Sequence, residues 1–322
     1  MNRRANVFAL VVLGGTAVAW PFAGRAQQRL PVIGYLDSSS LPVWFDAFQD
    51  GLDNLGYVQG RTVAIESRAA AGQASRLRDL AAELVRLQPK VIVASGSAAA
   101  AAAKRATATI PIVFTFATDP IALGLVTSLA RPGGNVTGQS NQAPGLVGKR
   151  LQVLAEVLPG VSHFGVVWSP SSSHVDFREM QAAAVTLRLA LDSFEVRQPD
   201  DVDAVFKKAA DRTGGVAVLS GPLIFTHRDA VVAAAARHKV PAIYYDEEYS
   251  ESGGLVSYGP SLRGLHRSAA ILVDKILKGA KPGDLPVEQP TRFELVVNRK
   301  AANALGLTLP ESVVRRADRV IE

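Results

Sequence analysis

Short apolar runs rich in β-branched residues alternate along this chain with longer stretches rich in alanine and leucine. The apolar runs have the length of buried strands, and the longer stretches have the length of helices. The predicted strands are 31–37, 62–67, 90–95 and 110–116 in the first half, and 163–169, 194–197, 216–220 and 242–246 in the second. Strands that are apolar throughout, each followed by a helix, predict an α/β fold whose parallel sheets are covered on both faces.

Helical stretches fill the intervals between these strands. The predicted helices are 43–55, 76–87, 97–106 and 122–129 in the first half, and 146–158, 175–191, 202–211 and 227–238 in the second. A longer helix is predicted at 262–277, and a short one begins at Arg299 after a closing segment, 285–298.

The two halves resemble each other at a nearly constant offset. Residues 34–40 match 165–171 at an offset of 131, and residues 91–96 match 216–221 at an offset of 125. A third match places 110–114 at an offset of 130 before its counterpart, which runs into Asp246. Three matches in the same order predict two lobes built on one βα plan.

Proline and paired glycines in residues 131–138 predict a turn between the two lobes. A second crossing is predicted near 257–260, and the closing segment crosses back once more. We therefore expect an N-terminal lobe of residues 27–138 plus about 260–289, and a C-terminal lobe of 139–259 plus about 290–322. Several crossings between similar lobes form a hinge, and a hinged cleft can enclose a small molecule.

The first residues have the pattern of an export signal. Arg3 and Arg4 precede an apolar run at 7–19, and small residues follow at Gly24 and Ala26. As a helix, this run spans about 20 Å, which is too short for a permanent membrane anchor. We expect a signal peptide of residues 1–26 and a periplasmic protein; the pattern leaves general secretion and twin-arginine export open.

Composition excludes several classes of function. The chain carries a net charge of +6 and no cysteine, so we expect no disulfide and no thiol-linked lipid anchor. The charge is too small and too evenly spread for a nucleic-acid partner. The five histidines lack metal-ligand spacing, and neither a phosphate-binding loop nor a Gly-x-Ser-x-Gly elbow is present. We expect no metal, no cofactor and no catalysis.

Ligands of open parallel sheets bind beyond the carboxyl ends of the strands, where this chain is rich in hydroxyl, acidic and aromatic side chains. The candidate ligand-binding residues are Ser38, Ser39, Ser97, Thr118, Asp119, Trp168, Ser169, Ser172, Tyr245 and Asp246. Trp168 and Tyr245 suit stacking on a flat solute, and either acid suits a ligand amine. The alternative for the serines and Asp119 is helix capping, and for the aromatic residues it is core packing.

Several segments resemble bacterial ABC-transporter substrate-binding proteins. They are 131–138 (RPGGNVTG), 253–259 (GGLVSYG), 277–298, 304–310 (ALGLTLP) and 316–322 (RADRVIE). The resemblance covers the chain beyond the signal. It implies a periplasmic binding protein of type I-like fold, with two Rossmann-like lobes joined by a three-stranded hinge. Such a protein delivers a solute to an ABC permease, and characterised relatives are associated with aromatic amino acids.

The resemblance also implies that Ser38, Ser97, Thr118, Ser169 and Asp246 contact the solute. Relatives that bind amino acids often carry an acid after the strand matching 216–220, whereas this chain continues Ser-Gly-Pro-Leu at 220–223. This difference argues against an amino-acid ligand and leaves room for an aromatic acid or another solute without a charged amine. We expect a monomeric solute receptor; the alternatives are a secreted hydrolase-type enzyme using a cleft serine and a ligand-sensing module.

Overall fold

A computed structural model describes residues 30–39, 42–117, 119–141, 145–170 and 173–322. The expected signal peptide lies outside these residues. No helix within the described ranges combines the length and the apolar character needed to cross a bilayer.

The first sheet contains five parallel strands. They are β1 (Val32–Asp37), β2 (Ala64–Ala69), β3 (Val91–Ser95), β4 (Ile112–Ala117) and β5 (Val136–Ser140). Their spatial order is β2-β1-β3-β4-β5. The register places Asp37 beside Ser95, and Ser95 beside Thr115, so three polar residues meet at the carboxyl ends of neighbouring strands.

The second sheet contains seven strands. They are β6 (His163–Trp168), β7 (Ala190–Glu195), β8 (Val216–Val218), β9 (Ala242–Tyr244), β10 (Val256–Gly259), β11 (Glu294–Asn298) and β12 (Arg319–Ile321). Their order is β12-β11-β10-β9-β8-β6-β7, and β11 runs antiparallel to β10 while the other pairs are parallel.

Helices cover both faces of each sheet. They are α1 (Pro42–Asn54), α2 (Leu77–Arg86), α3 (Ser97–Ala106), α4 (Leu146–Val157), α5 (His174–Leu187), α6 (Asp201–Arg212), α7 (Pro222–Thr226), α8 (Arg228–Arg237), α9 (Glu247–Glu251), α10 (Leu262–Leu277), α11 (Arg299–Ala304) and α12 (Glu311–Arg316). In the first lobe, α2 and α3 share one core cluster, and α1 and α10 share another. In the second lobe, α6 and α8 lie on one face and α4 and α5 on the other.

The internal repeat is confirmed by the topology. The order β2-β1-β3-β4-β5 of the first sheet recurs as β7-β6-β8-β9-β10 in the second. The helices repeat as well, because α1 packs along α10 as α5 packs along α4. The fold is therefore the expected pair of α/β lobes of type I-like architecture. The exact lobe boundaries stay a prediction.

Four predicted elements were wrong in type or extent. Residues 122–129 form turns because Gly124 has φ of +64°, a left-handed conformation that ends a helix. Helix α5 stops at Leu187, where Arg188 turns left-handed (φ +58°). Two of the residues predicted to continue it, Ala190 and Leu191, begin β7, so the strand predicted at 194–197 starts four residues earlier. The predicted turn at 131–138 extends only to Asn135.

The rest of that turn is the edge strand β5. Gly138 is required within it because an added Cβ would lie 2.1 Å from the carbonyl oxygen of Phe114. The bridge between Gln139 and Glu288 brings two of the crossing segments side by side. Helix α10 then packs on β3, β4 and β5 of the first sheet, which places its first residues at the junction of the lobes.

Candidate functional site

His266 organises the carboxyl ends of the first sheet. The side chain is fully buried, and its Nδ1 donates to the carbonyl of Leu262 at 2.8 Å, because a carbonyl can only accept. Nε2 is therefore the acceptor for the hydroxyls of Ser95 (3.1 Å) and Thr115 (2.9 Å). Burial lowers the pKa of His266 to about 4, so the imidazole is neutral at physiological pH.

Aromatic rings from both lobes meet above these strand ends, in what we term the interlobe aromatic cluster: Trp44, Phe116, Phe225, Tyr245 and His266. Trp44 of α1 stacks on Phe225 of α7 at 4.3 Å between ring centroids, and on His266 at 5.1 Å. Phe116 lies parallel to Tyr245 at 6.5 Å. The indole Nε1 of Trp44 is buried and has no hydrogen-bond partner within the described ranges. The lobes therefore close on aromatic surfaces.

Phe116 enters this cluster through a strained backbone. The register between β4 and β5 shifts between Phe114 and Ala117, and Phe116 has φ of +56°. Such a conformation in a bulky residue costs about 1–3 kcal/mol and is typical of functional sites. A bulge redirects a side chain out of the regular alternation. Here it turns the Phe116 ring toward the opposite lobe.

An open pocket of about 500 Å³ lies beside the cluster, between α1, α8 and α10. Val43, Ala47 and Arg228 line it, and the Arg228 guanidinium lies 5.6 Å from the centroid of the Phe225 ring. Solvent therefore reaches the edge of the aromatic cluster.

The predicted serines of the first lobe have internal hydrogen bonds. Ser38 Oγ donates to the carbonyl of Ser95 (2.8 Å) and accepts from the N–H of Ala99 (3.3 Å), so it caps α3. Ser39 is held by the carboxylate of Asp37, at 2.9 Å from its N–H and 3.0 Å from its hydroxyl. Ser38 thus caps a helix, as the alternative for the serines states, whereas Ser39 makes a local contact with Asp37 and caps no helix in these bonds.

The remaining polar candidates lie at the predicted strand ends. Ser97 is half-buried as the first residue of α3. Ser169 is buried, and its carbonyl accepts from the N–H of Ser173 at 3.0 Å. Asp119 Oδ1 accepts from the N–H of Ala122 at 2.9 Å and so caps a turn. Thr118 and Ser172 lie outside the described residues. A ligand contact by any of these residues stays a prediction.

Trp168 packs inside the second lobe, away from the interlobe cluster. Its ring stacks on Phe177 at 4.2 Å, and its Nε1 donates to Ser193 Oγ at 2.8 Å. Of the two aromatic candidates, the structure therefore places Tyr245 in the cluster and Trp168 in a core cluster of the second lobe.

Asp246 follows Tyr245 and is 1% exposed. Its Oδ1 accepts from the N–H of Glu248 at 3.0 Å, capping α9, whereas its Oδ2 has no hydrogen-bond partner in the described part of the chain. Burial raises the pKa of Asp246 to about 8. A buried carboxyl group with an oxygen that lacks a partner, beside an aromatic cluster, suits a hydrogen bond with a ligand's amine.

The second lobe carries two buried charged residues near its strand ends, Asp176 and Arg150. Asp176 accepts from Ser220 Oγ at 2.7 Å, so α5 supplies an acid at the end of β8, where the sequence itself has none. Arg150 of α4 is 4% exposed, and its Nε donates to the carbonyl of Tyr258 at 2.7 Å. Burial lowers the pKa of Arg150, and nearby Asp176 partly opposes this shift.

The sequence analysis missed Trp44, Phe225, His266 and Arg150 as site residues. Trp44 carried a usable signal, because it lies in the first turn of the helix that follows a hydroxyl-rich strand end. The other three come from segments that only the tertiary fold brings to the strand ends.

Comparisons with known proteins agree with this geometry. A tyrosine-binding protein of Clostridioides difficile is 26% identical over 285 residues, which is 88% of this chain and 82% of that protein. A conserved domain protein of Vibrio cholerae is 30% identical with a TM-score of 0.84, covering 91% of this chain and 100% of that one. An ABC domain of Streptococcus pneumonia, solved in complex with L-Trp, is 29% identical with the same TM-score and the same coverage.

The sequence profile of the ABC transporter substrate binding proteins matches residues 29–321, which is nearly the whole chain. The two-lobed fold agrees with this match. The chain belongs to the ABC transporter substrate-binding protein family.

Proposed function

We propose that this protein is a periplasmic solute-binding protein of an ABC importer and that it encloses a small aromatic solute between its lobes. The interlobe aromatic cluster carries the proposal. Trp44 and Phe116 come from one lobe, and Phe225 and Tyr245 from the other. Rings facing each other across a hinge offer two stacking surfaces to a flat solute.

The binding step follows from this arrangement. Opening the hinge separates Trp44 from Phe225, which stack at 4.3 Å in the closed form. A solute ring that enters the gap replaces ring–ring contacts with ring–solute contacts and links both lobes. The solute therefore favours the closed form by its differential contacts with it. The protein acts as a monomer without catalysis, and a permease in the inner membrane recognises the closed lobes.

The names of relatives support an aromatic solute. One curated relative is a tyrosine-binding protein, and one similar structure holds L-Trp. Asp246 offers a buried carboxyl group for an amine, and Asp176 stands where the sequence lacks the expected acid.

A ligand screen with matched tryptophan variants tests the proposal. Purified protein is heated with aromatic amino acids, aromatic acids and aliphatic amino acids, and hits are titrated by calorimetry. We expect an aromatic solute to raise the melting temperature and to be recovered unchanged. Trp44→Leu should abolish this shift, whereas Trp168→Leu, the same change inside the second lobe, should lower stability but keep the shift. A screen in which only aliphatic solutes bind, or in which the bound solute is chemically converted, would refute the proposal.

A further inference from the structure

Arg150 is a buried cation with no ion-pair partner among the residues that the structure describes. Its side chain is 4% exposed, and its Nε donates to the carbonyl of Tyr258. No acidic oxygen of the described residues lies within 4.0 Å of its guanidinium nitrogens. Buried charges are normally paired, because an uncompensated charge in a protein interior is strongly unfavourable. Asp176 and Glu179 attract the guanidinium from beyond ion-pair distance, so it keeps the capacity to pair directly with a bound anion.

The internal repeat gives Arg150 a partner position in the other lobe. It is the fifth residue of α4, in Leu146-Val-Gly-Lys-Arg150, and His266 is the fifth residue of α10, in Leu262-Arg-Gly-Leu-His266. Helix α10 packs on β3, β4 and β5 of the first sheet, and α4 packs on the equivalent strands β8, β9 and β10 of the second. His266 lies directly in the aromatic cluster, stacked on Trp44. The repeat therefore places Arg150 at the matching position facing the cleft from the second lobe.

Local geometry agrees with this placement. Nη2 of Arg150 lies 3.4 Å from the position that a Cβ on Gly259 would occupy, and that position is only 2.0 Å from the carbonyl oxygen of Tyr245. Glycine at 259 thus lets the end of β10, the Tyr245 backbone and the guanidinium approach one another. The guanidinium therefore lies close to the backbone carbonyl of Tyr245, a member of the interlobe aromatic cluster.

We infer that Arg150 binds the carboxylate of the solute and thereby selects aromatic carboxylates over aromatic amines. This inference rests on the proposed function, since it assigns one end of the same solute. The planar guanidinium fork matches a carboxylate through two parallel hydrogen bonds. Asp176 does not fill this role, because its Oδ2 accepts from Ser220 and the carboxylate lies beyond ion-pair distance of Arg150.

Three pairs of probes test the inference by calorimetry. L-Tyrosine and L-tryptophan carry both groups, tyramine and tryptamine lack the carboxylate, and hydroxyphenylpropionate and indolepropionate lack the amine. We expect wild-type protein to bind the carboxylate-bearing probes about 10- to 100-fold more tightly than the amines. Arg150→Gln should remove most of this ratio and leave affinity for the amines unchanged, and Arg150→Lys should retain part of it.

Arg316→Gln is the matched control. Arg316 of α12 forms a surface ion pair with Glu156, which lies on α4, the helix that carries Arg150. This variant should leave the ratio intact. A purely structural role of Arg150 predicts equal losses for all probes, and that result would overturn the inference. So would wild-type protein that binds tyramine as tightly as tyrosine, a result that needs no variant. If none of the six aromatic probes binds wild-type protein, the proposed function itself fails.

Discussion

Asp246 makes the stability of this protein depend on pH in a direction opposite to that of an ordinary surface carboxylate. Its side chain is 1% exposed, and burial raises the pKa of Asp246 to about 8. The hydrogen bond from the N–H of Glu248 acts in the other direction, but burial outweighs it. In the unfolded chain the carboxyl group ionises near pH 4. Between these values the folded protein holds a proton that the unfolded chain has released.

The sign follows from this difference in bound protons. Because the folded state binds more protons than the unfolded state between pH 4 and pH 8, the free energy of unfolding falls as pH rises through that range. The contribution of Asp246 is fully present below the unfolded pKa and is lost as pH rises to the folded pKa. One group contributes a slope of at most about 1.4 kcal/mol per pH unit. From pH 5 to pH 7, wild-type protein should therefore lose about 2–3 kcal/mol through this residue.

Urea unfolding of ligand-free wild-type protein and Asp246→Asn at pH 5, 6 and 7 measures the effect. The asparagine oxygen can still accept from Glu248 and cap α9, but it does not titrate. The stability of the variant relative to wild type should rise by about 2–3 kcal/mol over this range. Asp274→Asn is the control: its hydrogen bond with Lys278 lowers the pKa of Asp274, so it is ionised throughout and should give a constant difference. Parallel curves for wild type and Asp246→Asn would refute the reasoning.

Three further substitutions probe the fold around the site. Phe116→Gly should change ligand-free stability by less than about 1 kcal/mol, since relief of the positive φ offsets the lost contacts, yet should weaken aromatic ligands in calorimetry; a large loss of stability would contradict this account. Gly138→Ala should lower the free energy of unfolding by about 3 kcal/mol or more in urea, because its Cβ meets the Phe114 carbonyl at 2.1 Å; wild-type stability would disprove the close approach. Arg263→Met should lower the free energy of unfolding by about 2 kcal/mol at pH 7 and by less at pH 5. The buried Glu248 carboxylate loses its partner at 2.5 Å, so only a bound proton can then neutralise it. An equal loss at both pH values would count against this account.

Much of the fold could be predicted from the sequence because its elements are encoded locally. Helices α3 and α10 begin and end at the predicted residues, since an alanine run and an amphipathic stretch are readable without tertiary context. The repeat was readable because three segments of the first half recur in the same order in the second, at offsets between 125 and 131. Strand β5 was not, because its glycine and polar residues make a poor strand on their own. Only the neighbouring β4 and the crossing segment at Glu288 give it hydrogen-bond partners.

The site was harder to predict for a related reason. Strand ends are local features, so Tyr245 and Asp246 could be proposed from their position alone. Which side chain turns inward depends on long-range packing. Trp168 ends its strand as predicted, yet it is held by Phe177 and Ser193 within its own lobe. Phe225 reaches the cluster from the short helix α7, whose five residues are too few to show a helical periodicity in the sequence.

The repeat also shows how the two lobes differ in chemistry at equivalent positions. Equivalent positions keep their place in the fold but differ in chemistry: the third and fifth residues of the paired helices are Trp44 and His266 in the first lobe, and Asp176 and Arg150 in the second. The first pair is aromatic and neutral, and the second is charged. Under the proposed function, a solute bridging the lobes meets aromatic rings from both lobes but buried ionic groups from the second lobe only. If Arg150 binds the solute carboxylate as inferred above, this asymmetry would fix the solute's orientation, because the reversed solute would place its charged group against stacked rings.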